Sequence, residues 1–429
     1  TGKVLSSQIF EQIKTDPETY KYAIYEQMTD TWKLTIKPSF QNYTPMPKTP
    51  LTHPSKPIEY TENQLYNDVK TYIYKHLDLV NPLGYNVLTS FVFSTWLNEL
   101  FDFTPYLGFY GREDVGKTRA LETLKELCFH AWLTTGLTPA TLFRLVERFN
   151  PTLLLDESEF LTMKDKKEMI GLLNAGQRRG VLVPRMREHS QEVDFFNVYC
   201  PKSISGTELL KRTTTSRTIM FTMTKNIRKM PHKIDKKQGL KLRNQLLSWR
   251  FHKIAELKDS LSLKERIATS ELKATTEYPE LEPLSGRTYE LFYPLYHSAT
   301  EKQNILTFAT ELEEMKLRAE KSELASIIFE AIINIKDTQV RHGLLLLKDI
   351  ANYINADQER QYWIESKRIG TKCSQMGFEK TRTNRGTAII MNNRIIERLR
   401  KDPRYSIDLL NYAESEESEQ KEGYAKGLK

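Results

Sequence analysis

Apolar residues recur at helical spacing in the region that follows the first sixty residues. One stripe repeats every four positions, at Leu65, Val69, Ile73 and Leu77. Thr61 and Gln64 form a candidate capping box in front of this stripe, and a second apolar helix is expected over residues 85–100. The pattern therefore predicts two helices before residue 105.

Residues 1–60 show no such periodicity. They are rich in Pro, Thr and Tyr, and five prolines fall between positions 44 and 60. Proline lacks a backbone donor and fixes φ, so this stretch is neither a regular helix nor a central strand. We expect an N-terminal extension that ends in an extended linker.

From residue 106 the pattern changes to short apolar runs that alternate with amphipathic segments. The runs expected to be buried strands read YLGFY, AWLTT, PTLLLDE and RTIMFTM. Helices are expected between them, and one begins at Thr138, a candidate N-cap followed by Pro139. Residues 181–187 and 193–199 are typical of the two strands of a hairpin. Strands that alternate with helices predict an α/β fold with a parallel sheet covered on both faces.

The chain has 429 residues, of which 39% are hydrophobic, and this predicts two or three folded domains. It is basic, with 63 Lys and Arg against 55 Asp and Glu, and the excess is concentrated. Residues 360–405 hold twelve Lys or Arg and four Asp or Glu. Such a cluster indicates either a phosphate-rich partner such as nucleic acid or a solvated surface, and charge alone does not separate the two.

The three cysteines, Cys128, Cys200 and Cys373, lie far apart and show no metal-ligand spacing. The sequence therefore predicts no zinc site and no disulfide framework, and a reducing, cytoplasmic setting fits. No apolar run reaches the ~18 residues of a membrane-spanning helix, so no membrane association is expected. The chain begins at Thr1 rather than Met, which fits a piece of a longer protein.

The clearest motif follows the run YLGFY and has the pattern G-x-x-x-x-G-K-[ST]. It comprises Gly111, Arg112, Glu113, Asp114, Val115, Gly116, Lys117 and Thr118. Its glycines allow backbone N–H groups to turn toward phosphate oxygens, and the next helix adds its positive N-terminal end. Lys117 is expected to contact the β- and γ-phosphates of ATP, and Thr118 to ligate Mg²⁺. The motif predicts a P-loop nucleotide site, against the alternative of a chance glycine-rich turn.

A second motif, LLLDE, ends a predicted buried strand further along the chain. Asp156 is expected to ligate Mg²⁺, and Glu157 to orient or deprotonate the attacking water. The alternative is an ordinary acidic strand end at a helix cap. Together with the loop, the two carboxylates predict an enzyme that hydrolyses ATP with Mg²⁺.

These motifs and further segments resemble AAA+ ATPases, and more narrowly the minichromosome-maintenance-like and superfamily 3-like replicative helicases of plasmids, viruses and integrated elements. The segments read TPATLFRLVERFNPTLLLDESEF, NAGQRRG, TTSRTIMF and SGRTYELFYPL. The resemblance covers residues 85–300, with a further match in the C-terminal domain. It implies a ring of identical subunits, most simply a hexamer.

The resemblance also implies roles for two arginines. Arg217 matches an arginine that enters the neighbouring subunit's site, with Arg212 as its rival, and Arg287 matches one that opens a lid helix and contacts the γ-phosphate. The alternative for each is a surface salt bridge. The chain departs from the family where a polar sensor, often asparagine, is usual. The strand there reads FFNVYCPKSISGTE, and Ser205 or Thr207 could take the role.

Two basic regions are candidates for contact with DNA. The first is the predicted hairpin, on whose first arm we expect Arg178, Arg179, Arg185 and Arg187. In the resembling helicases a hairpin at this point projects into the central channel of the ring, which implies single-stranded DNA there. A solvent-exposed basic hairpin without a ligand is the alternative.

The second basic region resembles a winged helix. In IESKRIGTKCSQMGF, Ile369, Cys373 and Met376 are expected to pack inward, and Gly377 is a candidate helix end. The cations expected on this helix and on the following wing are Lys367, Arg368, Lys372, Lys380, Arg382 and Arg385. A helix placed in this way commonly enters the major groove of duplex DNA, and the alternative is a winged helix that contacts protein.

The expected organisation is an N-terminal extension and linker over 1–60, a helical region over 61–105, an AAA+ core over 106–225, a helical lid and linker over 226–320, a winged-helix domain over 321–412 and a disordered tail over 413–429.

The expected function is an ATP-driven, ring-forming DNA helicase or translocase for replication of a mobile genetic element. The alternative is an initiator or loader that assembles on DNA as an ATP-dependent switch without unwinding it. A structural protein with a relict loop is disfavoured, because the loop and both carboxylates are present.

Overall fold

The computed structural model divides the chain into two compact units, Thr1–Thr310 and Glu311–Lys429. The residues that it describes are 3–4, 8–15, 19–36, 51–156, 166–187, 192–207, 212–260, 278–284, 286–321, 324–356, 363–402 and 405. No helix in this described part has the length and apolar character needed to cross a lipid bilayer.

A small antiparallel sheet begins the first unit. Its strands are β1 Lys3–Val4, β2 Gln8–Lys14, β3 Tyr20–Glu26 and β4 Thr31–Thr35, in the order β1-β2-β3-β4. The sequence pattern does not predict these strands, because β2 is buried on both faces and carries Glu11 and Gln12 among its apolar residues. A strand covered on both sides lacks the alternation that marks a half-exposed strand.

A parallel sheet forms the centre of the first unit. Its strands are β5 Tyr106–Tyr110, β6 Ala131–Thr134, β7 Thr152–Leu155, β10 Lys202–Gly206 and β11 Thr218–Thr222. Between them, β8 Leu182–Met186 and β9 Val193–Asn197 form a separate antiparallel hairpin. The sheet order is β11-β5-β10-β7-β6, and every neighbouring pair is parallel. The predicted α/β fold is observed, and it is compatible with a P-loop-like core.

The segment FFNVYCPKSISGTE does not form the single strand expected from the sequence. The structure separates β9 from β10, with Pro201 between them. β10 begins with Lys202, which is fully buried and donates to the hydroxyl of Tyr106 (3.1 Å) and the carbonyls of Val198 (3.1 Å) and Cys200 (3.0 Å). Three acceptors match the three donors of the ammonium group, so a lysine can occupy a central strand.

The α-helices described between residues 62 and 321 are α1 Glu62–His76, α2 Gly84–Trp96, α3 Lys117–Lys125, α4 Pro139–Phe149, α5 Lys166–Ala175, α6 Arg212–Thr215, α7 Lys236–Ser260, α8 Gly286–His297 and α9 Lys302–Lys321. The predicted N-cap is confirmed, because the hydroxyl of Thr138 accepts the N–H of Thr141 at 3.2 Å. The capping box is wrong. Thr61 makes no side-chain cap bond, and Gln64 instead donates to Asp68 at 2.7 Å.

A buried ion pair joins the N-terminal sheet to α7. Arg250 donates from Nε to Glu11 Oε1 at 2.7 Å, and it also pairs with Glu99 and donates to the carbonyl of Trp96. Only 4% of the Arg250 side chain and 1% of the Glu11 side chain are exposed. Burial raises the pKa of Glu11, although the guanidinium beside it acts in the opposite direction. Removing one member of a buried pair typically costs about 3–5 kcal/mol, so this sheet is integral to the unit.

The second unit has a small antiparallel sheet with helices. Its elements are α10 Leu324–Gln339, β12 Leu344–Leu346, α11 Leu347–Asn355, α12 Ser366–Gln375, β13 Lys380–Thr383, β14 Gly386–Ile390 and α13 Asn393–Arg400, and the sheet order is β12-β14-β13. Ile369, Cys373 and Met376 lie in the core of this unit, as predicted. Gly377, with a φ of 99°, follows the end of α12. Strand β12 leads directly into α11.

Candidate nucleotide-binding site

The predicted phosphate loop connects the carboxyl end of β5 to the first residue of α3. At Gly111 the φ angle is 155°, and a Cβ there would collide with the carbonyl oxygen of Met223. The φ angle is 90° at Gly116 and 58° at Asp114. These angles favour glycine, and tolerate aspartate, which explains where the glycines of the motif fall. Ligands of open α/β sheets bind outside the carboxyl ends of the strands, where this loop lies.

Lys117 folds back over its own loop. Its ammonium group donates to the carbonyl oxygens of Gly111 (2.9 Å) and Arg112 (2.6 Å). These carbonyls are neutral acceptors, whereas a phosphate oxygen forms a stronger, charge-assisted hydrogen bond. The lysine is therefore placed to exchange carbonyl contacts for phosphate contacts.

Asp156 follows β7 directly, and two hydroxyl groups from different elements converge on its carboxylate. Thr118 Oγ1 donates to Oδ1 at 3.3 Å, and Ser205 Oγ donates to the same oxygen at 2.5 Å. The backbone N–H of Asp156 donates to the carbonyl of Thr134 (3.0 Å), and only 8% of the aspartate is exposed. The loop, β7 and β10 thus meet in one polar corner at the carboxyl edge of the sheet.

The oxygen atoms of this corner are ligands of the kind that Mg²⁺ prefers. Mg²⁺ commonly binds one or two protein carboxylates together with waters and substrate phosphates. Thr118 and Asp156, the predicted ligands, fit this description. Within the described ranges no three His, Cys, Asp or Glu residues are grouped as an all-protein metal cage would require. Glu157, the predicted base, lies outside the described residues.

The segment after β11 lies beside the phosphate loop. No sequence motif predicts this position. Met223 donates its N–H to the carbonyl of Tyr110 at 2.8 Å. Arg228 donates from Nε to Asp78 at 2.9 Å and lies 3.8 Å from the ring centroid of Tyr74. Hydrogen bonds from the backbone and side chain of Arg228 hold the pKa of Asp78 below its usual value. These contacts fix the C-terminal end of α1 against the segment that borders the loop.

The first predicted interface arginine lies at the other edge of the sheet. The carbonyl of Arg217 accepts the N–H of Tyr106 (3.3 Å), which is the first residue of β5. At roughly 3.3 Å per residue, the five residues of β5 span about 13 Å. Arg217 therefore lies at the amino end of the strand whose carboxyl end leads to the phosphate loop, and it does not reach the loop of its own chain.

Arg287 lies close to Arg217. Burial lowers the pKa of Arg217, and the positive charge of Arg287 lowers it further. Arg287 donates from Nη1 to Gln177 Oε1 at 2.9 Å and pairs with Glu290. The buried Nε of Arg217 has no hydrogen-bond partner in the part of the chain that the structure describes. The Glu290 carboxylate that pairs with Arg287 is also near Arg217 and acts on the pKa of Arg217 in the opposite direction.

Arg212, the rival of Arg217, is the first residue of α6. Its side chain lies outside the described part of the structure. Thr207, one of the two candidate sensors, follows β10 directly, whereas Ser205 lies within it and contacts Asp156. Ser205 therefore makes a direct contact at the polar corner.

Two of the predicted DNA-contacting arginines pack near the base of the hairpin. Arg179 donates to the carbonyl of Asn98 at 2.8 Å and lies over the ring of Tyr199. Arg178 is exposed and lies over the ring of Phe103, at 5.4 Å from its centroid. Arg179 therefore supports the local fold, and Arg178 is the more accessible of the two.

The two arginines on the hairpin itself have acidic partners. Arg185 pairs with Glu168 at 2.7 Å and packs on the ring of Phe143, so it points toward the helices. Arg187 pairs with Asp194 at 2.7 Å and is 54% exposed. Both hairpin arginines therefore have a carboxylate partner in the described structure.

The outward face of the hairpin is apolar except for Asn197. Its exposed residues are Leu182, Pro184, Met186, Val193, Phe195 and Asn197. Phe195 pairs with Pro184 across the two strands, and 62% of the phenylalanine is exposed. Strand periodicity explains the orientation, because residues two apart share one face and Arg185 belongs to the other.

Most of the predicted C-terminal cations are exposed. They are Lys367, Arg368, Lys380, Arg382 and Arg385, whereas Lys372 is half-buried. A further exposed stripe, not predicted from the sequence, lies on and just after α13 and is formed by Arg394, Arg398 and Lys401. No carboxylate of the described residues pairs with this stripe. The concentration of positive charge in residues 360–405 was the sequence signal that could have predicted this stripe.

Comparison with known proteins gives weak likenesses only. No protein-family model matches the chain, and no curated protein matches it. It is similar to the apo structure of the NrS-1 C-terminal region, with a TM-score of 0.34, 11% identity, and coverage of 89% of this chain and 96% of that chain. It is also similar to the JCV helicase, with a TM-score of 0.26, 15% identity, and coverage of 48% and 63%. TM-scores this low decide neither fold nor function.

Proposed function

We propose that the chain is a P-loop ATPase that hydrolyses ATP with Mg²⁺. One observation carries this proposal: the hydroxyl of Thr118, at the end of the phosphate loop, lies 3.3 Å from the Asp156 carboxylate at the end of β7. Two motifs that are separate in sequence share one corner of the sheet. This convergence favours an active ATPase over a structural protein that merely retains a glycine-rich loop.

Within this proposal the loop N–H groups and the N-terminal end of α3 bind the phosphates. Lys117 leaves its carbonyl acceptors and contacts the β- and γ-phosphates. Thr118 and Asp156 hold Mg²⁺, which would neutralise phosphate charge when bound. Ser205 orients the Asp156 carboxylate and occupies the sensor position. Glu157 orients or deprotonates the attacking water.

We further propose that hydrolysis occurs at interfaces between identical chains in a ring, most simply a hexamer. Arg217 and Arg287 lie away from their own phosphate loop, so they are placed to contact nucleotide only in another copy. Arginine supplied in this way stabilises transition-state charge in other nucleotide hydrolases.

For the second unit we propose a winged-helix domain that binds duplex DNA. The order helix, strand, helix, helix, strand, strand supports this fold, with α12 as the groove-reading helix and the β13–β14 turn as the wing. Arg368 and Arg382 supply exposed charge on these two elements. The stripe of Arg394 and Arg398 would add phosphate contacts on α13.

For the hairpin we propose contact with single-stranded DNA in the ring channel through its outward face. Phe195 offers an exposed ring on which a base can stack, and such stacking is tolerant of sequence. Arg187 lies at the exposed end of the hairpin and can exchange its carboxylate partner for a phosphate. Arg185 is better suited to hold the hairpin against Glu168, so the proposed contact is partly apolar rather than a track of arginines.

These parts together favour an ATP-driven DNA helicase or translocase for the replication of a mobile genetic element. The second candidate is an initiator or loader that assembles on DNA without unwinding it, and the basic second unit alone would suit either. A forked duplex distinguishes them. Release of the displaced strand that depends on ATP hydrolysis is expected of the helicase, whereas the loader binds the fork and leaves it paired.

The ATPase assignment is tested by Lys117→Ala and Glu157→Gln. Lys117→Ala should abolish nucleotide binding, because it removes the cation of the phosphate loop. Glu157→Gln should keep binding and lose turnover, because it removes the base and leaves the loop intact. Nucleotide binding and phosphate release are measured on the same preparations. Hydrolysis by Glu157→Gln at the parental rate would contradict the assignment.

A further inference from the structure

Gln177 lies where the hairpin region meets the arginine pair. Its side chain is 1% exposed, and its Oε1 accepts a hydrogen bond from Arg287 Nη1 at 2.9 Å. Its backbone carbonyl accepts the N–H of Thr104, also at 2.9 Å. One residue therefore contacts the guanidinium of Arg287 and is fixed to the segment that leads into β5.

We propose that Gln177 is a positioning residue that orients Arg287 and links it to the hairpin. This inference rests on the proposed function, in which Arg287 contacts the nucleotide of a neighbouring copy. In its own chain Arg287 has the acceptors Gln177 and Glu290. A phosphate oxygen is a charged acceptor and competes with the neutral amide oxygen. The bond between Arg287 and Gln177 therefore responds to the presence of a phosphate at that interface.

The path from Gln177 to the hairpin is short and consists of backbone contacts. Arg178 forms an isolated β-bridge with Phe103, and the N–H of Arg179 donates to the carbonyl of Asp102 at 2.9 Å. Gly180 follows in a left-handed conformation, with a φ of 80°, and β8 begins two residues later. A displacement of Gln177 is thus transmitted through two anchored residues to the start of the hairpin.

Stability does not account for a glutamine at this position. Its Nε2 is buried without a hydrogen-bond partner among the described residues, and an unpaired buried donor destabilises a fold. The orientation of the amide is set by Arg287, which requires the oxygen to face its donor. Methionine has a similar size and would remove both the unpaired donor and the bond to Arg287. The Gln177→Met substitution therefore separates an effect on stability from an effect on the link between Arg287 and the hairpin.

The test compares Gln177→Met and Gln177→Glu with the parent, each as the full chain. ATPase rates are measured with and without oligo(dT), and thermal unfolding is recorded. Gln177→Met should unfold at the same or a higher temperature, while the stimulation by oligo(dT) falls by about tenfold, the loss typical of a hydrogen bond to a charged group. Gln177→Glu replaces the neutral acceptor by a charged one, with which a phosphate competes less well for Arg287, so its stimulation by oligo(dT) should also fall.

A double-variant cycle tests whether Gln177 acts through Arg287. Arg287→Met should also lose stimulation, and the double variant should be no worse than Arg287→Met alone. Additive losses, parental stimulation in Gln177→Met, or a clear fall in its unfolding temperature would each overturn the inference. A parent chain without ATPase activity would overturn the proposed function as well, whereas the other outcomes concern Gln177 alone.

Discussion

Thr118 and Asp156 are 38 positions apart in the chain, yet the hydroxyl of one lies 3.3 Å from the carboxylate of the other. A third residue, Ser205, donates to the same carboxylate oxygen from β10. The strand order accounts for this, because β10 lies between β5 and β7. The carboxylate proposed to hold Mg²⁺ is thus oriented by a side chain that belongs to neither of the two sequence motifs.

Replacing Ser205 by alanine should weaken the use of Mg²⁺ without preventing nucleotide binding. A hydrogen bond to a charged acceptor contributes about 1.5–3 kcal/mol, so the ATPase rate at limiting Mg²⁺ should fall by about tenfold or more. The rate should recover in part at high Mg²⁺. The measurement is the ATPase rate across a Mg²⁺ titration.

Ser203→Ala is the matched control for this variant. Ser203 lies two residues earlier in the same strand, and its hydroxyl has no hydrogen-bond partner in the described structure. It should show the parental Mg²⁺ dependence. The role given to Ser205 is contradicted if both variants follow the parental curve.

Mixing two inactive variants tests whether Arg217 acts on a neighbouring copy. Arg217→Ala keeps an intact phosphate loop but cannot complete the site of its neighbour, and Lys117→Ala has the reverse defect. At some interfaces of a mixed ring, the intact phosphate loop of an Arg217→Ala chain meets the intact Arg217 of a Lys117→Ala chain. These interfaces should hydrolyse ATP, so mixed rings should recover part of the parental rate. The measurement is the ATPase rate as a function of mixing ratio.

Mixed assembly has to be shown independently in this experiment, for example with differently tagged chains. Arg212→Ala is tested in parallel, because Arg212, five positions earlier, is the other candidate for the arginine that acts on a neighbouring copy. If Arg212→Ala recovers on mixing and Arg217→Ala does not, the assignment passes to Arg212. No recovery with either variant, in confirmed mixed rings, speaks against an arginine supplied in trans.

Neutralising Arg368, Lys372 and Arg382 together should weaken duplex binding and flatten its salt dependence. Each lost phosphate contact lowers the log–log slope by up to ~0.9. The ATPase rate without DNA should survive, since these residues lie outside the first unit. The control replaces Lys236, Lys237 and Lys241, which are exposed cations of α7. Equal slopes for the two triple variants would count against a DNA-reading role for the second unit.

Stability should fall as the pH is lowered because of a buried histidine. Burial lowers the pKa of His53 from 6.5 to about 3, and the nearby charges of Lys14 and Arg243 act in the same direction. The unfolded chain therefore binds a proton that the folded chain excludes, and the loss of stability grows from pH 6.5 down to about pH 3. At pH 5 His53 contributes about 2 kcal/mol of this loss.

The measurement is thermal unfolding of the parent and of His53→Phe at pH 7 and pH 5. The variant cannot take up the proton, so its unfolding temperature should fall less between the two conditions. The ring of His130 lies 5.0 Å from that of His53 and is also buried, and burial lowers its pKa too. His53→Phe therefore keeps part of the pH dependence. A variant as sensitive to pH as the parent would refute the role of His53.

The sequence predicts the strands and loop of the nucleotide site because their signals are local. A glycine at a left-handed position or an acid at the end of an apolar strand can be recognised without its neighbours. The contact of Ser205 with Asp156 has no such signal, since it depends on which strand lies between two others. The same holds for β2, whose Glu11 is polar in sequence but buried against Arg250 in the fold.

The hairpin shows a different limit of sequence analysis. Four arginines in and beside a predicted hairpin indicate a basic surface, but the sequence does not reveal which carboxylates lie across from them. Glu168 comes from α5 and Asp194 from the opposite strand, and each pairs with an arginine. The net charge of a segment is therefore a weaker predictor of a nucleic-acid partner than the charge that stays unpaired in the folded protein.

The buried pair of Arg250 and Glu11 limits how the protein can be shortened. A fragment that starts at residue 51 would contain every residue proposed for the nucleotide site. It would nevertheless lack Glu11 and the strand that covers this part of α7, leaving Arg250 with Glu99 as its remaining carboxylate. The smallest piece that folds and the smallest piece that contains the catalytic motifs are therefore different, and a recombinant ATPase has to include the first strands.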